Sequence, residues 1–591
     1  MNRFANSRLR FSLPFFFAAL LLASLALPAA ARAAARDPEE VSSRTVDKTV
    51  TLSAGQSVRI DHRLGAVFVK THPGRDVHIV ASIRVSASTR QEADNFSNQI
   101  NIRVEQSSSG LSIRTEYPEH EREHGIFSWR RSISYSVDYS IDMPEDAPLS
   151  LRNSFGEVKV LGLKADGDIN NSHGLLTYQD GKGTVRLENS FGGVEVGNIA
   201  GDLSVTNSNG FLHVTHVEGG LDARDRFGEV TVHEVAHRAT VVNSNGRVEV
   251  QSVGGPATVT NSFGSAHISD IRGDLSVRNT NGEVDVRTVA GSADLSTSFA
   301  SISFLDVHGR VDCTGTNSAI SGSKAGGAAT IRTTFGSVEM HDIGGSVEVD
   351  DSNAKIFLRS IHGGAQLKTT FGSIDASGID GPVTASASNG QITLSKIAGA
   401  AEVRGSFGSI SLSGVRGTAK VISGNSNVSL EDIAGDAYIK ASFGLVRAAR
   451  IGGPLTVENS NGGVEATTIK GAANIRTSFG SVALEGIEGN VDVDNQNGTV
   501  EASSIGKSGA ASSCFNIALR TSFAPIRVSL PENASYHIEA RTSFGHITTD
   551  LPITVSGTVG NDSLTGTVGA GACQLRLTDS NAGIDIRKSS R

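Results

Sequence analysis

The chain has 591 residues and a formal net charge of −8, with 5% aromatic residues, 19% charged residues and 66 glycines. That length exceeds one ordinary hydrophobic core, and so little aromatic mass is unusual for a large globular enzyme; abundant glycine with aliphatic alternation fits many short strands and tight turns. There is no sustained basic block, which argues against a nucleic-acid groove.

Residues 1–35 read as an export signal. Arg3, Arg8 and Arg10 form a basic start, Phe11 to Leu27 is an apolar run, and Ala29 to Ala31 offer small residues for cleavage, with a second option near Ala35. No Cys follows the apolar run, so a lipid anchor is not expected, and no other segment is apolar enough to span a bilayer. The competing reading is an uncleaved membrane anchor, the one membrane contact the sequence suggests.

Residues 36–150 read as an N-terminal β-region that covers the start of the repeats. Segments such as "VRIDHRLGAVFVKTH" and "SISYSVDYSIDMP" alternate apolar and polar residues, as half-buried strands do. Within this region "HEREH", His120 to His124, matches the H-E-x-x-H pattern, in which two His on one helical face bind zinc. Here Pro118 and Gly125 flank it between strand-like segments, which leaves no room for the helix, and no third ligand is evident. A charged, solvated loop is the expected reading, so no metal, cofactor or catalytic residue is assigned. Trp129 is either an exposed anchor beside Arg130 and Arg131 or a packed residue of this region.

Residues 151–510 carry the repeat. From Asn153, steps of 18 residues give NSFG, NSHG, NSFG, NSNG, DRFG and so on through twenty units, ending at Gly498 without a slip in register. Numbering each unit from its first residue, positions 6, 8, 11, 15 and 17 are mostly apolar and position 13 is Gly in seventeen of the twenty. The pairs 6/8 and 15/17 have the period of a strand buried on one face, and the glycines suit tight corners. Each unit therefore reads as two short strands and two corners. A layer this thin cannot bury its own apolar face, so the units must stack: the expected fold is all-β, a parallel β-solenoid (β-helix) with β caps at both ends.

Position 3 alternates without exception. Phe155, Phe191, Phe227, Phe263, Phe299, Phe335, Phe371, Phe407, Phe443 and Phe479 form one set. The other is His173 followed by Asn209, Asn245, Asn281, Asn317, Asn353, Asn389, Asn425, Asn461 and Asn497. With 18 residues per coil, Phe would lie on Asn along the whole axis. With 36, Phe would stack on Phe and Asn on Asn, giving a ring ladder and an amide ladder. The expectation is the 36-residue coil built of 18-residue half-coils, with the Phe set as a core ladder and the Asn set as a structural amide ladder.

Residues 511–591 read as modified final coils and a C-terminal cap, since "GKSGAASSCFN" breaks the count and later strings resume it irregularly. Capping blocks the template that an open sheet edge offers. Cys514 and Cys573 both lie here and are the expected disulfide pair in an oxidising compartment, while Cys313 stands where most units carry an aliphatic residue and reads as a small buried hydrophobe.

The lead-in "VDYSIDMPEDAPLSLRNSFGEVKV", the repeat itself and the tail "GTVGAGACQLRLTDSNAGIDIR" together resemble the bacterial adhesin-like family of Gly-rich β-strand repeat proteins. The resemblance spans roughly residues 45–588. It implies a β-repeat architecture behind a signal peptide and a role in binding, with no catalytic residues. The expected function is thus an exported, non-catalytic scaffold in the periplasm or at the cell surface, with a glycan or protein of the envelope as partner. A periplasmic sensing accessory and a polysaccharide-acting β-helix enzyme are the alternatives. The latter is disfavoured because the unbroken repeat leaves no insertions to build a cleft.

Overall fold

A computed structural model of the protein describes residues 40–118, 133–506, 514–555 and 560–589. The export signal, His120 to His124 and Trp129 lie outside the described residues.

The repeats wind into a parallel β-solenoid. Each unit contributes one strand to each of two sheets: Val194–Ala200 pairs in register with Leu212–Val217 of the next unit in one sheet, and Leu203–Asn207 pairs with Leu221–Arg224 in the other. The apolar positions 6, 8 and 11 of one sheet face 15 and 17 of the other across the core, as Val194, Val196, Ile199, Leu203 and Val205 show. At about 4.8 Å per coil, twenty coils make a body about 95 Å long.

One coil takes 18 residues, so the expected 36-residue coil does not hold. Phe263 pairs with Asn281, and Asn389, Phe407, Asn425, Phe443 and Asn461 follow one another in register. The expectation rested on an amide losing partners between two rings. In the structure four of these amides keep one by turning back to the backbone. Asn209 Nδ2 donates to the carbonyl of Ser190 at 3.1 Å, and Asn497 Nδ2 to that of Ser478 at 3.1 Å.

A second feature explains why position 11, rather than 10, follows 8 into the core. In all twenty units position 10 has positive φ: sixteen non-glycine residues, from Asp180 to Ser504, at 54–62°, and Gly162, Gly378, Gly414 and Gly486. This left-handed residue bulges each strand, turns two successive side chains outward and returns the third to the interior.

Both ends depart from the simple winding. At the N-terminal end Ser57–Asp61 and Val67–His72 form a coil beneath the first repeat. Beyond it the sheets finish in antiparallel strands, Glu40–Thr51 on Asp76–Ala87 and Asn101–Gln106 on Gly110–Glu116. The helix Arg90–Gln99, capped by Thr89 Oγ1 accepting from the N–H of Glu92, buries Ala93 and Phe96 against this cap. At the C-terminal end, spatial order differs from chain order. The last coil, Cys573–Thr578 with Ile584–Lys588, is inserted between the coil of Ile517–Arg520 and Ile526–Leu530 and that of Tyr536–Arg541 and Ile547–Thr549. Cys514 and Cys573 form a disulfide with Cα atoms 6.0 Å apart at the entry to this inserted coil. Cys313 is buried, and burial pushes its thiol far above the ordinary range.

Candidate functional site: an exposed corner of alternating Phe and Asn

The tetrad occupies the corner where the chain passes from one sheet to the other. Its first residue points into the solenoid. Asn189 Nδ2 donates to the carbonyls of Gly174, one coil below, and Gly192 in its own coil, both at 3.2 Å. The same bond to the coil below recurs at Asn171, Asn207, Asn243, Asn261, Asn279, Asn459 and Asn495. Where the first residue is Thr, its hydroxyl replaces the amide: Thr297 donates to Gly282 and Thr477 to Gly462. A donor here ties successive coils together, although Gly315, Ala387, Gly405 and Ala441 stand at this position without one. This buried ladder at position 1 is the main amide ladder of the molecule, two residues away from the one the sequence suggested.

Position 4 is glycine in sixteen of the twenty units, where the corner leaves little room for a side chain; Ala300, Ser318, Ala354 and Ser426 stand in the others. Gly192 has φ of 132°, and a Cβ there would stand 2.2 Å from the carbonyl oxygen of Gly174.

Two Asp-led corners solve the first position differently. In the DSNA strings, Asp351 accepts from the N–H of Ala354, and Asp579 accepts from the N–H groups of Ser580 and Ala582, at 2.6 and 2.7 Å. Asp225, in DRFG, has neither arrangement. Gly228 keeps the ordinary corner, and both buried carboxyl oxygens of Asp225 lack a hydrogen-bond partner. Burial pushes its pKa up to about 6.

The third residue points out. Phe155, Phe191, Phe227, Phe263, Phe299, Phe335, Phe371, Phe407, Phe443 and Phe479 are 45–66% exposed, so they form no core ladder. The residue two places earlier in each strand already fills the interior, and the turn carries position 3 past the rim of the core. The Asn set from Asn209 to Asn497 lies on this same outer line, and Asn209, Asn245, Asn353 and Asn497 bond back to the coil below rather than to other Asn. In the one all-aromatic stretch, His173 is sandwiched flat between Phe155 and Phe191, with ring centroids 4.5 and 4.8 Å apart.

The line continues past the counted repeats at both ends. Leu64 of "HRLG" bridges to Phe155 below the first coil. Above the last, Phe523, Asn581 and Phe544 follow, the N–H groups of Asn581 and Phe544 bonding to Ser522 and Ser580. Those strings, HRLG, TSFA, TSFG and DSNA, are the signal by which the sequence could have revealed the extension. The result is a ridge with twelve exposed Phe, which are twelve of the fifteen exposed large hydrophobic residues among the described residues.

The outward carboxylates form no comparable feature. Glu249 pairs with Arg247 at 2.7 Å and Asp285 with Arg287 at 3.2 Å, while Asp202 accepts the N–H of Gly220 at 2.7 Å. These are exposed pairs of small energetic weight. Among the described residues no three His, Cys, Asp or Glu side chains converge as metal ligands.

Fold and corner together define a two-sheet parallel β-solenoid that presents one aromatic–amide ridge. No family model matches the chain, and no curated protein does. Among solved structures, it is similar to a "putative cell adhesion protein" from Clostridium sporogenes ATCC 15579, 10% identical, over 41% of this chain and 99% of that one, with a TM-score of 0.14. It is also similar to a "putative adhesin" from Parabacteroides distasonis ATCC 8503, 13% identical, over 50% of this chain and 97% of that one, with a TM-score of 0.15.

Proposed function

We propose that this protein is an exported, non-catalytic scaffold of the cell envelope or surface that works by binding, in the manner of an adhesin. The observation that carries the reading is the ridge: a rigid body about 95 Å long holds a regular row of exposed Phe. Exposed apolar surface on this scale marks an interaction site, since the largest patch on an ordinary monomer is about 300–600 Å². The uninterrupted coils from Asn153 to Gly498 also favour a scaffold over an enzyme, because no inserted loop rises to wall a cleft. The apolar start of the chain supports export.

The test is fractionation of the native host combined with an attachment assay. The reading expects the protein in the outer fractions, and expects deletion of its gene to reduce attachment to a surface or to neighbouring cells. Recovery from the cytoplasm would overturn export. Unchanged attachment after deletion would overturn the adhesive role.

A further inference from the structure

We infer that the Phe–Asn ridge is a self-recognition surface: two copies of this chain pack ridge to ridge, antiparallel, with the Phe of each filling the slots between Phe of the other. The inference concerns what the ridge touches, and it stands whether or not the adhesive reading holds.

The first argument is shape. Phe recurs every second coil, so neighbouring rings lie about 9.6 Å apart along the axis. Between them stands the shorter Asn, which leaves the outer part of the slot open; at Asn209, Asn245, Asn353 and Asn497 the amide is also drawn back to the backbone of the coil below. A slot of this width accepts an aromatic ring. His173 already occupies one, stacked at 4.5 and 4.8 Å between Phe155 and Phe191. A Phe from a second copy, centred in such a slot, would lie about 4.8 Å from each flanking ring, within the favourable range for aromatic pairs.

The second argument is symmetry. A ridge of alternating large and small residues is complementary to itself only when shifted by one coil. A two-fold axis parallel to the solenoid sets Phe against Phe at every level. A two-fold axis perpendicular to it, passing midway between a Phe coil and an Asn coil, sets every Phe against a slot and closes the assembly as a dimer. With the axis between the coils of Phe335 and Asn353, nearly the whole ridge is matched, and Asn209 of one copy opposes Phe479 of the other.

Charge and area agree. Positions 2 to 4 of the twenty units hold a single charged residue, Arg226, in a chain that is 19% charged overall. Two copies of net charge −8 can therefore approach along this line without setting like charges in contact. Twelve half-exposed Phe offer about 1,200 Å² of aromatic surface per copy, against the about 800 Å² per partner of a standard stable interface.

The full chain should sediment at twice the monomer mass at about 10 μM. The triple variant Phe263→Asn, Phe335→Asn and Phe407→Asn should weaken the dimer at least about tenfold. Its far-UV circular dichroism should be unchanged, since Asn already serves at alternate coils. A second triple variant, Asn209→Lys, Asn245→Lys and Asn353→Lys, keeps every Phe and should dissociate the dimer by placing charge in the slots. Mixing Asn209→Cys with Phe479→Cys should give a cross-linked pair that neither gives alone. A wild-type chain that remains monomeric, including one that binds a glycan through the same Phe, overturns the proposal. So does a dimer indifferent to both triple variants, and cross-linking only of like with like overturns the antiparallel register.

Discussion

Phe544 lies above Asn581 on the ridge although it precedes it in the chain: its N–H donates to the carbonyl of Ser580 at 3.0 Å, while the N–H of Asn581 donates to Ser522 at 3.0 Å. In sequence the end of the ridge reads Phe523, Phe544, Asn581. In space it reads Phe, Asn, Phe. The alternation thus belongs to the stack of coils rather than to the order of residues. It is kept by inserting the last coil between the two before it, and the Cys514–Cys573 disulfide tethers the start of that coil. Replacing both cysteines by Ser should destabilise this end by about 2–4 kcal/mol, as expected for a loop closed over tens of residues. Hydrogen exchange should quicken in Ile526–Leu530, Tyr536–Arg541 and Cys573–Thr578. The coils before Gly498 should keep their protection, since contacts in a solenoid reach only neighbours. Uniform loss of protection along the body would contradict this account.

Asp225 is the weak rung of the buried ladder. Its folded pKa, about 6, lies above the ordinary carboxylate value of 3.8, so the native state holds a proton that the unfolded chain has released. Its contribution is fully present below pH about 4 and is lost as the pH rises through about 6. Asp225→Asn supplies a permanent donor towards the carbonyl of Gly210. The substitution should stabilise by about 1–3 kcal/mol above pH 6 and have little effect near pH 4. Urea unfolding at the two pH values reads the difference, and an equal gain at both would show that the proton is not involved.

His62 gives the opposite slope at the N-terminal end. It occupies position 1 of the HRLG corner, with Nδ1 3.0 Å from Thr115 Oγ1, which in turn bonds Tyr139 Oη at 2.7 Å, and its ring meets Tyr139 edge-on. Burial lowers its pKa to about 4, against the pull of Val137 and Leu64 backbone groups and of the Asp138 and Asp61 carboxylates. A lowered His contributes stability that is complete above pH about 6.5 and is lost as the pH falls through about 4. Exchange in Ser57–Asp61 and Val67–His72 should therefore accelerate between pH 6.5 and 4 after correction for intrinsic rates. His62→Gln should flatten that dependence; if it leaves the slope unchanged, another group is responsible.

Much of this architecture was legible in the sequence, and the errors share one cause. Period-two alternation located both strands of each unit, because burial on one face imposes it directly. The super-period of Phe and Asn is not a packing rule for the interior. Phe155 and its successors are large and apolar, yet the strand's alternation ends at position 1. Position 3 therefore falls on the far side of the corner, where burial no longer decides the residue. The conspicuous Asn at position 3 also draws attention away from the buried Asn at position 1, which gives way to Thr, Ser, Gly, Ala or Asp because single coils tolerate the loss of its bond. The inserted last coil had no sequence signal apart from the DSNA string, since pairing order is a tertiary choice.

The left-handed position 10 supplies the last prediction. Sixteen coils hold a non-glycine residue at φ of 54–62° there, a conformation that costs about 1–2 kcal/mol for an ordinary L-residue and is tolerated best by Gly, Asn and Asp. The residues found are accordingly polar and never large and apolar. Thr288 and Thr468 are the least suited, because branching at Cβ crowds the carbonyl further. Thr468→Gly removes that clash and lies outside the core, so relief of strain outweighs the greater freedom glycine gives the unfolded chain. The gain should be about 0.5–1 kcal/mol, read as a higher urea midpoint with unchanged slope. Asp432→Gly, which starts from a residue that accepts this conformation and pairs with Arg450, should gain nothing or lose slightly. If the two substitutions behave alike, the bulge is not the strained element of the coil, and the step from position 8 to position 11 must be held by the stacking of neighbouring coils alone.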